Sequence, residues 1–130
     1  MELSICTDVF AELTYPEMLD KVKSFGIDAV EMTAGGRGAR AHCPAGELLA
    51  SEEKRAEYMG ELAKRGMRIS ALNTSCNPLW PCETGREYAE SMRDCVRLAE
   101  LLGVKKIVCM SGLPAGSEHD VTPNWITSSV

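Results

Sequence analysis

The apolar and polar positions of this chain spell out one unit three times. Lys23-Ser24-Phe25-Gly26-Ile27-Asp28-Ala29-Val30-Glu31-Met32 is followed by Ala63-Lys64-Arg65-Gly66-Met67-Arg68-Ile69-Ser70-Ala71-Leu72. Glu100-Leu101-Leu102-Gly103-Val104-Lys105-Lys106-Ile107-Val108-Cys109-Met110 completes the series. Each reads as a helix end, a glycine and a short apolar strand. Glycine suits the left-handed position that closes a helix, where a side chain would clash. Gly26, Gly66 and Gly103 are spaced by 40 and 37 residues, a period that holds one helix, one strand and two loops.

The polar positions mark the helix starts. Thr14-Tyr15-Pro16-Glu17 and Thr84-Gly85-Arg86-Glu87 read as capping boxes, and Ser51 before Glu52 and Glu53 as an N-cap with acids on the helix dipole. Apolar stripes follow at Met18, Leu19, Val22 and Phe25, then at Met59, Leu62 and Ala63. The third is the longest: Tyr88, Met92, Cys95, Val96, Ala99 and Leu102. Strands are predicted over residues 3–6, 27–32, 68–72 and 106–110. Short strands alternating with helices predict a parallel sheet in β-α-β-α-β-α-β order. Residues 111–130 show neither period, and are expected to be a loop after the fourth strand with no strand following.

The fold class is therefore α/β, and two architectures fit. One is a small doubly wound sheet. The other is the N-terminal half of a TIM barrel, whose eight (βα) units take about 250 residues. No G-x-G-x-x-G follows the first strand and no Walker A is present, which argues against a nucleotide-binding sheet. An incomplete barrel would leave two strand edges unpaired. Such edges invite a homo-oligomer or a missing half.

Composition narrows the partners. The chain has 130 residues, 45% hydrophobic and 25% charged, enough for one core and one domain. A net charge of −5 weighs against nucleic acid, which wants a basic face. Met1-Glu2-Leu3-Ser4 has no signal-peptide pattern, and no apolar run is long enough for a membrane span. The six cysteines, Cys6, Cys43, Cys76, Cys82, Cys95 and Cys109, form no C-x-x-C. Cys6, Cys95 and Cys109 sit in element patterns as small hydrophobes. A reducing, cytoplasmic location is expected.

The residues after the strands carry a resemblance. Leu3-Ser4-Ile5-Cys6-Thr7-Asp8 opens the chain, and Ile69-Ser70-Ala71-Leu72-Asn73 runs into Cys76-Asn77-Pro78-Leu79-Trp80-Pro81. Lys106-Ile107-Val108-Cys109-Met110-Ser111-Gly112-Leu113-Pro114 ends the last strand, with Asn124-Trp125 downstream. Together these resemble the sugar phosphate isomerase/epimerase group of the xylose-isomerase-like barrel superfamily. The likeness spans residues 1–130 and about the first half of a barrel. Members of the group often carry histidine where Trp80 stands.

The resemblance implies a sugar or polyol substrate and proton transfer next to a carbonyl. It also implies a divalent metal (Mn, Mg, Co or Zn) held by Glu, Asp, His and Glu on later strands. Those strands would follow residue 130, so neither metal ligands nor catalytic groups are expected in this chain, which alone is expected to be inactive. The sister apurinic endonucleases place histidine ligands after the third and fourth strands. Here Asn73 and Ser111 stand in those neighbourhoods, which argues against DNA repair.

Barrel chemistry lies on the loops after the strands, and this placement selects the substrate-binding candidates. Glu31, near the end of the second strand, can orient a substrate hydroxyl or form a structural ion pair. His42 follows the basic loop Gly35-Gly36-Arg37-Gly38-Ala39-Arg40, which reads as a flexible lid or a solvated surface loop. Arg37 and Arg40 can pair with a phosphate. His42 with Cys43, Cys76 and Cys82 offers zinc-type ligands without the usual C-x₂₋₄-C spacing. Asn73 and Asn77 suit sugar hydroxyls and also turns. Trp80 can stack on a sugar ring or pack on the rim. Ser111-Gly112 permits close approach to the backbone. His119-Asp120 reads as solvated, and Trp125 as a closure over the mouth. Two other readings remain: a half-barrel binding or assembly module forming a homodimer, and a lyase or dehydratase on the same scaffold.

Overall fold

The computed structural model of the chain describes residues 2–112 and His119. Four strands alternate with helices: β1 (Ser4–Cys6), α1 (Tyr15–Ser24), β2 (Ala29–Thr33), α2 (Ala45–Ala50), α3 (Glu52–Lys64), β3 (Arg68–Thr74), α4 (Glu83–Leu102) and β4 (Ile107–Cys109). A 3₁₀ turn, Thr7–Phe10, follows β1. Gly26, Gly66 and Gly103 take φ values of +73°, +62° and +68°, the left-handed geometry that the repeated glycine predicts. At the first helix start, the Glu17 carboxylate accepts the Thr14 backbone N–H (2.9 Å) and hydroxyl (2.6 Å). Ser51 Oγ accepts the Lys54 N–H at 3.2 Å and caps α3.

All pairings are parallel, in the spatial order β1-β2-β3-β4. That order separates the two candidate architectures. A doubly wound sheet reverses its winding direction, whereas a barrel adds each strand beside the last. Right-handed crossovers wound in one direction put every helix on one face of the sheet. The core lies there: Val30, Met32, Ile69 and Leu72 of the strands meet Met18, Leu19, Val22, Leu48, Leu62, Cys95, Leu98 and Leu102 of the helices.

The opposite face is concave. Ser4 of β1 and Ser70 of β3 share a hydrogen bond of 2.6 Å between their hydroxyls. Arg68 Nε donates to Glu2 Oε1 at 3.2 Å across the same gap. Neighbouring strands lie about 4.8 Å apart, so groups on β1 and β3 meet over β2 only where the sheet curls toward that side. The sheet is thus an unclosed arc of barrel wall, with helices outside.

β3 holds one irregularity. Val30 pairs with Ile69 but Glu31 pairs with Ala71, which leaves Ser70 as an extra residue. Its hydroxyl donates to the Val30 carbonyl at 3.0 Å. This is a β-bulge, and it moves the alternation by one position. Ile69 and Leu72, three apart, both face the helices.

Several sequence expectations are corrected. α4 begins at Glu83 with Cys82 as N-cap, so Thr84 lies inside the first turn and makes no cap. The Trp80 carbonyl presses on that turn, 1.8 Å from where a Cβ on Gly85 would sit. The buried stripe of α4 is Cys95, Leu98, Ala99 and Leu102, while Val96 is 53% exposed. On α3, Tyr58 is buried and Ala63 is exposed. Phe25 closes no core; it is exposed and stacks on Phe10 with ring centres 6.4 Å apart. α2 was not expected, because Gly46 and the flanking Pro44 gave it no helical stripe. Residues 113–118 and 120–130, most of the expected terminal loop, lie outside the described residues. Among those described, no helix is long and apolar enough to cross a membrane.

All six cysteines are free thiols. Burial pushes the Cys43 thiol up to about 12 and Cys95 up to about 11, and raises Cys76 as well. Cys109, on β4, is exposed. Because the thiolate is the reactive form, iodoacetamide at pH 8 is expected to label Cys109 first and to spare Cys43, Cys76 and Cys95 until the chain is unfolded. Peptide mass spectrometry reads the order. Labelling of Cys95 as fast as Cys109 would contradict the packing of α4 on the sheet.

Candidate functional site at the carboxyl rim

The concave face carries polar side chains because each lies between two that face the helices. Glu31 stands between Val30 and Met32, both in the core. Asn73 follows Leu72 and joins Glu31 on the concave side because of the bulge at Ser70. Were Ser70 drawn into unbroken alternation instead of bulging, Asn73 would share the face of Ile69 and point at the helices.

The two side chains form an ordered array. Asn73 Nδ2 donates to Glu31 Oε1 at 2.7 Å. Asn73 Oδ1 accepts from the Ser75 backbone N–H at 2.9 Å and from the Ser75 hydroxyl at 2.7 Å. The amide is oriented by both ends: its oxygen is used within its own turn, and its nitrogen is turned to the carboxylate. Glu31 is half-buried, so the carboxylate is held in place at the carboxyl end of the sheet. Such a group accepts hydrogen bonds from hydroxyls, and it can take a proton.

The loop after β2 closes one side of this rim. Ala34 and Gly35 donate their N–H groups to the Asn73 carbonyl at 2.9 and 3.3 Å, and Arg37 donates to the Ser75 carbonyl at 3.1 Å. Gly36 N–H donates to Ser91 Oγ at 3.0 Å, and Arg37 Nε to the Tyr88 hydroxyl at 3.0 Å. Ala39 N–H reaches Asp8 Oδ2 at 3.3 Å. In place of the flexible lid or the solvated loop that the sequence suggests, the segment is a strap bonded to β3, α4 and the end of β1. Glycine serves close approach here: a Cβ on Gly35 would lie 2.2 Å from Ser91 Oγ, and one on Gly38 2.2 Å from Thr33 Cγ2. Arg37 and Arg40 are exposed, and Arg40 takes φ +52° without being glycine.

The other candidates are distributed around the rim. His42 is 2% exposed, with Nε2 3.0 Å from the Leu13 carbonyl and its own carbonyl accepting the Tyr58 hydroxyl at 2.9 Å. The carbonyl can only accept, so Nε2 carries the proton, and buried Nδ1 has no partner among the described residues. Asn77 is fully buried. A Cβ on Gly112 would lie 2.6 Å from Asn77 Oδ1, so the loop after β3 interlocks with the backbone after β4. Ser111 beside it is exposed, and Trp80 is half-buried in the turn that begins α4. The structure brings Glu31 and Asn73 together, and it places His42 and Asn77 in the interior as it stands. His119 is exposed; Asp120 and Trp125 lie outside the described residues.

No three His, Cys, Asp or Glu side chains converge into a metal site among the described residues. The zinc grouping of His42, Cys43, Cys76 and Cys82 is therefore corrected. The His42 ring turns to Leu13, and Cys76 Sγ points at the Thr74 carbonyl, 3.3 Å away. The residues described here do not fit the divalent metal that the resemblance implies. Sequence reading missed Ser75, Asp8, Ser91 and Tyr88. Only Ser75 had a local signal, since Asn-x-Ser favours an Asx turn.

A curled parallel sheet in sequential order, with helices outside and polar groups at its carboxyl rim, defines a β/α-barrel protein. Residues 19–128 match the family described as xylose isomerase-like TIM barrel, and the chain belongs to that family. Over its 130 residues it is 47% identical to the uncharacterized protein YfiH of Bacillus subtilis (strain 168). The match covers all of this chain and 42% of YfiH, so the chain spans less than half the length of that curated relative.

Removing the Asn73 amide strands two partners. Asn73→Ala is expected to cost about 1–3 kcal/mol, and Asn73→Asp more at neutral pH, since it sets a second carboxylate against Glu31. Thermal melts of the two variants against the parent chain test the order. Equal stability of all three would mean that the array does not hold the rim.

Proposed function

We propose that the chain contributes the substrate-holding rim of a barrel enzyme that isomerises or epimerises a sugar, sugar phosphate or related polyol. The reaction is proton transfer next to a carbonyl. The observation that carries this reading is the Glu31–Asn73–Ser75 array, a carboxylate fixed by an oriented amide at the carboxyl end of adjacent parallel strands. Barrel enzymes place substrate at that end. Membership of the xylose isomerase-like family supports it.

In this reading Glu31 accepts a hydrogen bond from a substrate hydroxyl, and Asn73 sets the direction of that contact. The strap from residue 34 to 40 shields one side, and in this reading its exposed Arg37 and Arg40 pair with the phosphate of an anionic sugar. The groups that move the proton are assigned to the stretch of the relative that this chain does not span.

The test replaces the matched stretch of YfiH with this chain. In D₂O, the chimaera is expected to exchange the hydrogen next to the carbonyl of a keto-sugar or its phosphate, followed by NMR. Glu31→Gln should lower kcat/KM by about 10–100-fold, about 1.4–2.7 kcal/mol of binding in the transition state. No exchange across a panel of aldo- and keto-sugars and their phosphates, or exchange indifferent to Glu31→Gln, would refute the assignment.

A further inference from the structure

We propose that Tyr88 is the positioning residue of an anion clamp. It holds the Arg37 guanidinium so that the two terminal nitrogens receive the phosphate of a substrate whose hydroxyl lies on Glu31. The clamp presupposes the substrate-holding rim proposed above, and it selects phosphorylated substrates over neutral ones.

Both ends of Arg37 are fixed. Its backbone N–H donates to the Ser75 carbonyl at 3.1 Å. Gly36, just before it, takes φ +72°, and a Cβ there would lie 2.7 Å from the same carbonyl oxygen. At the far end, Nε donates to the Tyr88 hydroxyl at 3.0 Å, and the guanidinium carbon lies 5.8 Å from the centre of the Tyr88 ring. That distance is within cation–π range. A planar guanidinium bound at Nε still presents Nη1 and Nη2 as a fork, the geometry that takes two phosphate oxygens. An arginine held in this way loses little freedom when an anion arrives.

The charge of that fork is left over. Among the described residues Arg37 has no ion pair, although Glu87 and Glu90 stand close to Tyr88 on α4. An arginine that only tied the strap to α4 would gain more from a carboxylate than from a neutral phenol. Arg40 is placed differently: it lines a groove with Glu87, Glu90 and Asp94, so carboxylates already face it. The clamp is also joined to the array. Ser75, whose carbonyl holds Arg37, gives its N–H and hydroxyl to Asn73, and Asn73 bonds Glu31. The hydroxyl and the anionic end of one ligand are thus received by groups tied together through Ser75.

Titration of the YfiH chimaera with inorganic phosphate, followed by nitrogen-resolved NMR at fixed ionic strength, tests the clamp. Saturable shifts of the Arg37 side-chain signals are expected. Arg37→Gln should weaken phosphate binding about 10-fold or more, and Tyr88→Phe about 3–10-fold, with the Arg37 Nε–H signal of Tyr88→Phe moved toward that of a free arginine. Arg97→Gln, which removes the same charge from α4, should change binding by less than about 2-fold. Thermal melts check that each variant is folded. If the phenol only braces the strap, Tyr88→Phe binds phosphate like the parent, and the proposal falls. It falls equally if phosphate does not bind saturably, or if Arg37→Gln and Arg97→Gln lose the same affinity. Binding is read without turnover. Phosphate binding without hydrogen exchange would overturn the reaction and leave the clamp, while exchange without phosphate binding would overturn the clamp alone.

Discussion

A parallel sheet that carries all its helices on one side has two unlike faces, and this difference organises the rest of the chain. Three crossovers of the same hand place α1, α3 and α4 over one surface. The strands therefore alternate between residues that meet those helices and residues that do not. Burial of Val30, Met32, Ile69 and Leu72 against the helices supplies the hydrophobic drive. What remains on the inner surface is mostly small or polar: Ser4, Ala29, Glu31, Ser70, Ala71 and Asn73, with Arg68 at its base. Small inner groups let the sheet bend until the first and third strands touch.

That bend determines where the loops go. On a curled sheet the strand ends draw together, so segments far apart in the chain share one rim. The strap after β2 bonds to the end of β3, to α4 and to Asp8 after β1. The loop after β3 locks Asn77 against Gly112 after β4. Glycines at these crossings do not confer mobility. They mark where two backbones, or a backbone and a short side chain, lie too close for a Cβ. The rim is thereby rigid where the sequence suggests a lid, and a rigid rim suits a carboxylate that has to keep one orientation.

Much of the fold was legible because its signals are local. Three glycines each had to close a helix before a strand, and all three adopt the left-handed conformation. Thr14 with Glu17 and Ser51 with Lys54 act within one turn, so their caps were visible in the sequence. The errors came from long-range causes. The start of α4 depends on the Trp80 carbonyl folding back on Gly85, which no local pattern reveals. The stripe of α4 is rotated so that Leu98 rather than Val96 meets the sheet. Topology put Glu31 and Asn73 at the strand ends, but their mutual bond was not legible. It depends on a bulge invisible in a strand reading of Arg-Ile-Ser-Ala-Leu-Asn. Ser91 and Tyr88 had no signal at all, since they serve the rim from a helix that reads as purely structural.

The bulge at Ser70 gives β3 something like a reading frame. Upstream of it, odd positions face the helices; downstream, even positions do, and Asn73 reaches the inner surface only in the second frame. Loss of Ser70 would nevertheless keep Ala71 opposite Glu31 and Asn73 opposite Thr33, so the amide would still reach the inner surface. What would go is the hydroxyl that bonds the Val30 carbonyl and Ser4. The bulge is thus a point where the strand can change length by one residue without exchanging its faces, a tolerance that a regular strand such as β2 lacks.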